Sequence, residues 1–71
     1  MYDNDSIVGK VKAFTARAVL IALDGGKEHW VPRSQIEEEP NDEYLTSLRD
    51  DGIEAEFTIP GWLSEKIANG E

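Results

Sequence analysis

The segment Ala18 to Ile36 decides the fold, and it reads Ala-Val-Leu-Ile-Ala-Leu-Asp-Gly-Gly-Lys-Glu-His-Trp-Val-Pro-Arg-Ser-Gln-Ile. Its first six residues are almost all apolar, and a short apolar run that ends in Asp-Gly-Gly is typical of a buried strand entering a hairpin. The glycines supply the positive φ that such turns require. We therefore predict a strand over Ala18 to Leu23, a turn over 24–26 and a returning strand over Glu28 to Val31.

The end of the returning strand directs the next part of the chain. Pro32 ends the strand, because proline has no N–H to donate to a ladder. Residues 33–35 then read as one helical turn that points Ile36 inward. Trp30 is the largest side chain in the segment, and we expect it to anchor the core.

Two more strands flank this hairpin, and both show the period-two alternation of strands. One side of residues 6–14 carries Ile7, Gly9, Val11 and Ala13, and the other side carries Val8, Lys10, Lys12 and Phe14. A glycine inside a strand, here Gly9, indicates a bulge or a close crossing of another strand. Within residues 53–59, the side chains expected to face inward are Ile53, Ala55, Phe57 and Ile59.

Two helical segments complete the chain. The first follows the acidic run 37–43, with Asn41 or Asp42 as its N-cap and Gly52 as its stop. Its packing face is predicted to contain Tyr44, Leu45 and Leu48. The second covers Gly61 to Asn69 and is followed by Gly70 as a C-terminal stop. Its packing residues are predicted to be Trp62, Leu63 and Ile67.

Together these elements predict a mostly β fold with short helices. We expect a small curved antiparallel barrel, OB-like or SH3-like, with about four strands and a C-terminal helix. Residues 1–5 are expected to be frayed. Residues 6–70 form a single domain, with an acidic loop and a short helix at 37–52.

Composition narrows the class of protein. The 71 residues include 15 acidic and 7 basic ones, a net charge of −8, which disfavours nucleic-acid binding because phosphate is bound mainly by Lys and Arg. Cysteine is absent and His29 is the single histidine, so we expect no disulfide, metal or cofactor. No apolar run approaches the ~20 residues of a membrane helix, and no signal peptide is evident. A soluble, cytoplasmic protein is the simplest expectation.

Two motifs carry a resemblance to known proteins. Trp30 to Gln35 reads Trp-Val-Pro-Arg-Ser-Gln, and Thr58 to Lys66 reads Thr-Ile-Pro-Gly-Trp-Leu-Ser-Glu-Lys. Together they resemble a family of small phage and prophage proteins of unknown function, with the signatures W-hydrophobic-P-K/R-S-Q and P-x-W-L-x-x-E/K-K. The likeness spans Ile7 to Lys66 and implies proximity to phage replication and recombination genes, but no catalytic residue. This chain departs from the family at residues 67–69 and in its long acidic segment 37–52.

A second likeness covers half of the chain. Residues 9–11, Val19 to Gly26 and Val31 to Ile36 resemble the opening of an S1-type OB domain. The fifth strand of that type is missing here. The likeness implies a barrel more strongly than it implies RNA binding.

The acidic residues and the second tryptophan form the candidate partner surface. Its members are Glu37, Glu38, Glu39, Asp42, Glu43, Glu54, Glu56 and Trp62. A solvated loop is the ordinary interpretation of such a charge run, and the spacing does not match an EF-hand. Tryptophan is common at binding hot spots, although a core this small also needs its large side chains.

The alternative surface is basic and would bind nucleic acid. It comprises Lys10, Lys12, Phe14 and Arg17. The two lysines are predicted to share a face with Phe14, as in a stacking platform for single strands. The plain alternative is an exposed strand face. His29 and Ser34 match no nucleophile motif, so we expect no catalytic site and no enzyme.

Three functional hypotheses follow. The first is a non-enzymatic protein-interaction module or modulator encoded by a phage or prophage and linked to nucleic-acid metabolism. The alternative is a single-stranded nucleic-acid-binding OB-type domain. A further alternative is an acidic nucleic-acid mimic, which requires Asp50, Asp51 and the acids of the partner surface to form one face. A protein partner is favoured over nucleic acid or a membrane, and a homodimer is a third possibility.

Overall fold

The computed structural model describes residues 4–23 and 25–69. In chain order the elements are β1 (Asn4–Phe14), β2 (Ala18–Leu23), β3 (Glu28–Pro32), a 3-10 turn (Arg33–Gln35), α1 (Asp42–Asp51), β4 (Glu54–Pro60) and α2 (Gly61–Ala68). The expected class is confirmed, since four antiparallel strands and two short helices give a mostly β, barrel-like fold with a C-terminal helix. Residues 1–3, Asp24 and Gly70, which the sequence assigned to a frayed end, a turn and a helix stop, lie outside the described residues.

The long strand β1 lies inside the sheet, whose order is β3-β2-β1-β4. Its first half pairs with β4 and its second half pairs with β2, in both cases antiparallel. β1 begins at Asn4, because Asn4 lies opposite Pro60 and Asp5 lies opposite Ile59. The expectation of a frayed segment is therefore wrong at these two positions.

A main-chain hydrogen bond connects the two ends of the sheet. After the 3-10 turn, the backbone N–H of Glu37 donates to the carbonyl of Thr58 in β4, at 2.8 Å. The chain that leaves β3 therefore runs to the outer edge of β4. This connection gives the sheet its barrel-like curvature.

A bulge at Lys12 interrupts the alternation of β1. Val11 lies opposite Ile21, whereas Phe14 lies opposite Val19 after a shift in register. Since Val19 and Ile21 share a face of β2, Val11 and Phe14 share a face of β1. The strict alternation predicted for this strand fails beyond the bulge, which moves Phe14 to the covered face.

Gly9 lies where β1 and β2 approach closely, as one of its two predicted roles required. A Cβ built at Gly9 would lie 2.5 Å from the carbonyl oxygen of Ala22 and 2.7 Å from Cγ2 of Ile21. Real Cβ atoms do not approach so closely, so only glycine fits here without a shift of the backbone. The bulge itself lies three residues further along, at Lys12.

One hydrophobic core lies between a single face of the sheet and the two helices. The strands contribute Val11, Val19, Ile21, Val31, Phe57 and Ile59, and the rest of the chain contributes Ile36, Leu45, Leu48, Leu63 and Ile67. Ile36 follows the 3-10 turn and points inward, as predicted. We call this side of the sheet the covered face and the other side the open face.

Trp30 does not anchor the core, which corrects the prediction from the sequence. It is 52% exposed, whereas its neighbour Val31 is fully buried. Successive side chains of a strand point to opposite faces, so the burial of Val31 places Trp30 on the open face, opposite Leu20. Ile53 is also half exposed, because it precedes β4 rather than pointing inward from it.

The helices follow their predicted caps. The side chain of Asn41 accepts a hydrogen bond from the backbone N–H of Tyr44 at 2.8 Å, and Gly52 ends α1 with a φ of 63°. Leu45 and Leu48 are buried, whereas Tyr44 remains half exposed. No helix among residues 4–23 and 25–69 is long and apolar enough to cross a membrane.

Candidate functional site

A groove lies between the edge strand β3 and the C-terminal helix α2. Its volume is about 410 Å³. It is lined by His29, Trp30 and Pro32 from β3 and by Trp62, Leu63, Lys66 and Ile67 from α2. We call it the tryptophan groove.

Both tryptophans of the chain line this groove and remain accessible. Trp30 is 52% exposed and Trp62 is 41% exposed. A tryptophan has a large apolar surface together with an indole N–H that can donate a hydrogen bond, a combination that suits binding surfaces. The chain thus leaves its two largest side chains outside a core that is otherwise built from smaller ones.

The backbone of β3 offers hydrogen-bonding groups along the same groove. At one end of the β2–β3 pair, the N–H of Leu23 donates to the carbonyl of Lys27, and at the other the N–H of Arg33 donates to the carbonyl of Arg17. Since these groups alternate along an antiparallel pair, the N–H and C=O groups of Glu28 and Trp30 point away from β2. Within the described part of the chain, β3 pairs with β2 alone.

Part of the predicted acidic surface forms a separate cleft of about 210 Å³. Glu37, Glu38 and Glu56 line it together with Tyr44. Trp62, which the sequence grouped with these acids, instead lines the tryptophan groove. The predicted partner surface is therefore divided between two places on the molecule.

The remaining predicted acids have other surroundings. Glu39 lines a third cleft, of about 320 Å³, together with Arg17 and Ser34. Glu43 lies exposed in the first turn of α1, and Glu54 lies opposite Lys10 across the β1–β4 pair. Among the described residues, no group of acidic and histidine side chains is arranged to hold a metal ion.

Asp42 takes part in a structural network around a buried arginine. Arg33 is only 8% exposed, and its Nη1 donates to Oδ1 of Asp42 at 2.7 Å and to the carbonyl of Thr15 at 2.9 Å. Its Nη2 donates to the carbonyl of Pro40 at 2.8 Å. The network ties the β1–β2 turn to the start of α1. Arg33 was expected to be a member of the surface basic set, and its burial corrects that expectation.

The predicted nucleic-acid surface does not assemble as expected. The bulge moves Phe14 away from the face that carries Lys10, and Phe14 packs against the core. The guanidinium carbons of Arg33 and Arg49 lie 5.9 and 5.5 Å from the centre of its ring. The four proposed residues, Lys10, Lys12, Phe14 and Arg17, therefore do not form a stacking platform.

His29 and Ser34, the residues nearest to a nucleophile pair in the sequence, lie in different clefts. His29 lines the tryptophan groove, whereas Ser34 lines the cleft of Arg17 and Glu39.

Sequence reasoning missed three members of the tryptophan groove, namely Trp30, Pro32 and Lys66. One signal could have identified the first, because Trp30 and Val31 are adjacent in a strand and only one of them can face the core. Comparison of the chain with protein-family models, with curated proteins and with solved structures finds no match. Function is therefore inferred from the residues of the chain itself.

Proposed function

We propose that the chain is a non-enzymatic protein-interaction module and that the tryptophan groove is its binding surface. The observation that supports this proposal best is the placement of both tryptophans, half exposed, on one groove. Exposing two indoles to water forgoes burial worth about 1.5–3 kcal/mol for a large apolar side chain. A partner that covers the groove recovers that free energy.

The charge of the chain supports a basic partner. A net charge of −8 on 71 residues produces a long-range field that speeds the approach of a positively charged protein and repels an acidic one. In this proposal the acidic cleft contributes to the approach, whereas the groove contributes contact area. The likeness to phage and prophage proteins is the reason for proposing an accessory role linked to phage nucleic-acid metabolism.

The proposal predicts which side chains a protein partner requires. Immobilised wild-type protein and the variants Trp30→Ala, Trp62→Ala and Tyr44→Ala would be used to capture proteins from a bacterial lysate, and each captured protein would be quantified. Tyr44→Ala is the matched control, since Tyr44 is equally exposed but lines the acidic cleft. We expect at least one protein to be lost about tenfold or more from both tryptophan variants and kept by the control, as hot-spot truncation implies.

The opposite pattern would contradict the proposal. If the partners of the wild-type protein survive both tryptophan substitutions and depend on Tyr44, the binding surface is the acidic cleft. Circular dichroism of each variant would show whether it retains the fold. A lost partner counts only for variants that do.

A further inference from the structure

We infer that the partner docks as an extended segment that adds a fifth strand to the free edge of β3. This inference rests on the proposed function and specifies how the groove is used. The outward N–H and C=O groups of Glu28 and Trp30 provide up to four main-chain hydrogen bonds for such a strand. Pro32 has no N–H, so pairing on that side of the edge ends there.

The tryptophan groove runs along this same edge. An added strand lies about 4.8 Å from β3, and α2 forms the second wall through Trp62 and Leu63. The side chains of the added strand alternate between the two faces of the sheet. One set therefore lies beside Trp30 on the open face, and the other set lies against α2.

The two faces select different side chains. On the open face the incoming residues lie opposite Glu28 and Trp30, a carboxylate and an aromatic ring, and both attract a cation. On the other face they meet Trp62 and Leu63, which favour apolar groups. Lys66, also on α2, disfavours a cation there. The geometry therefore fits a segment in which basic and apolar residues alternate.

A second copy of this chain fits the edge less well. Two molecules of charge −8 repel each other, and Glu28 would meet negative surface instead of a cation. An acidic segment meets the same objection. A basic, extended segment of another protein is therefore the occupant that the charges favour.

The hydrogen-bond register gives a sharp test with synthetic peptides. The probe is a capped heptapeptide of alternating arginine and valine, and its affinity would be measured from tryptophan fluorescence. In the inferred antiparallel pairing, the residues opposite Glu28 and Trp30 are arginines, and their N–H groups bond to β3. N-methylation of all arginines should therefore weaken binding about tenfold or more. N-methylation of all valines, whose N–H groups point away from β3, should change it less than threefold.

Two further measurements complete the experiment. Bound peptide should slow amide hydrogen exchange at Glu28 and Trp30, and Glu28→Gln should weaken binding several-fold, whereas Glu56→Gln should not. A peptide of the same composition with its arginines and valines in two blocks should bind about tenfold more weakly. Equal binding by the block peptide or insensitivity to N-methylation would overturn strand addition.

The outcomes separate this inference from the proposed function. If no peptide binds but the tryptophan variants still lose a captured protein, strand addition is wrong and the interaction module stands. If the wild-type protein instead forms a dimer that Trp30→Ala abolishes, the occupant is a second copy, and the inference of a basic foreign segment is wrong. If neither tryptophan matters for peptide or protein, both proposals fail.

Discussion

Arg33 shows how one residue can organise a loop without taking part in binding. Its guanidinium is buried and bonds to the carbonyls of Thr15 and Pro40, as well as to Asp42. The carboxylate of Asp42 is 77% exposed, so water screens the ion pair and reduces its contribution to stability. The two main-chain carbonyls are therefore expected to matter more than the charge pair.

This difference predicts unequal effects on the free energy of unfolding. Arg33→Ala should lower it by about 2–4 kcal/mol, because two carbonyls lose a charged donor. Asp42→Asn should lower it by less than about 1 kcal/mol. Urea denaturation followed by circular dichroism measures both. An Asp42 variant that costs as much as the Arg33 variant would show that the ion pair dominates.

Trp30 gives the second prediction at this scale. Because it is half exposed on the open face, Trp30→Thr should cost less than about 1 kcal/mol, and threonine suits a strand. Ile21→Ala, at a fully buried position of β2, should cost about 2–5 kcal/mol. Thermal and urea unfolding of the two variants gives the comparison. A loss of 3 kcal/mol or more at Trp30, roughly the cost of truncating a core tryptophan, would restore it to the core.

At the scale of elements, most of the fold could be predicted from local signals. The glycine turn, the proline after β3, the Asn41 cap and the Gly52 stop each depend on the conformational preference of one residue, and the sequence displays that directly. The bulge at Lys12 could not be predicted in this way. Its position depends on how β1 pairs with β2, and no residue within β1 marks it.

The error at the bulge also explains the error in the candidate site. Strict alternation placed Phe14 beside Lys10 and Lys12, and so created a basic platform that the register does not support. In β3, the size of Trp30 was taken as a sign of burial, although the alternation with Val31 favoured the other face. Size is a weaker guide than period where two large apolar residues are adjacent.

At the scale of the whole molecule, charge and shape have separate roles. The net charge of −8 was evident from composition, whereas the grouping of the acids was not, because it depends on tertiary structure. Glu37, Glu38 and Glu56 meet in one cleft, while Asp42 pairs with Arg33. The tryptophan groove likewise joins residues more than 30 positions apart, which no local pattern can show.

The measurement that tests the central claim most directly is a chemical-shift map of the labelled protein with a captured partner. We predict the largest changes at the backbone amides of Glu28 and Trp30 and at the indole N–H groups of Trp30 and Trp62. Changes centred on Glu37, Glu38 and Tyr44, with both indole signals unmoved, would contradict the account.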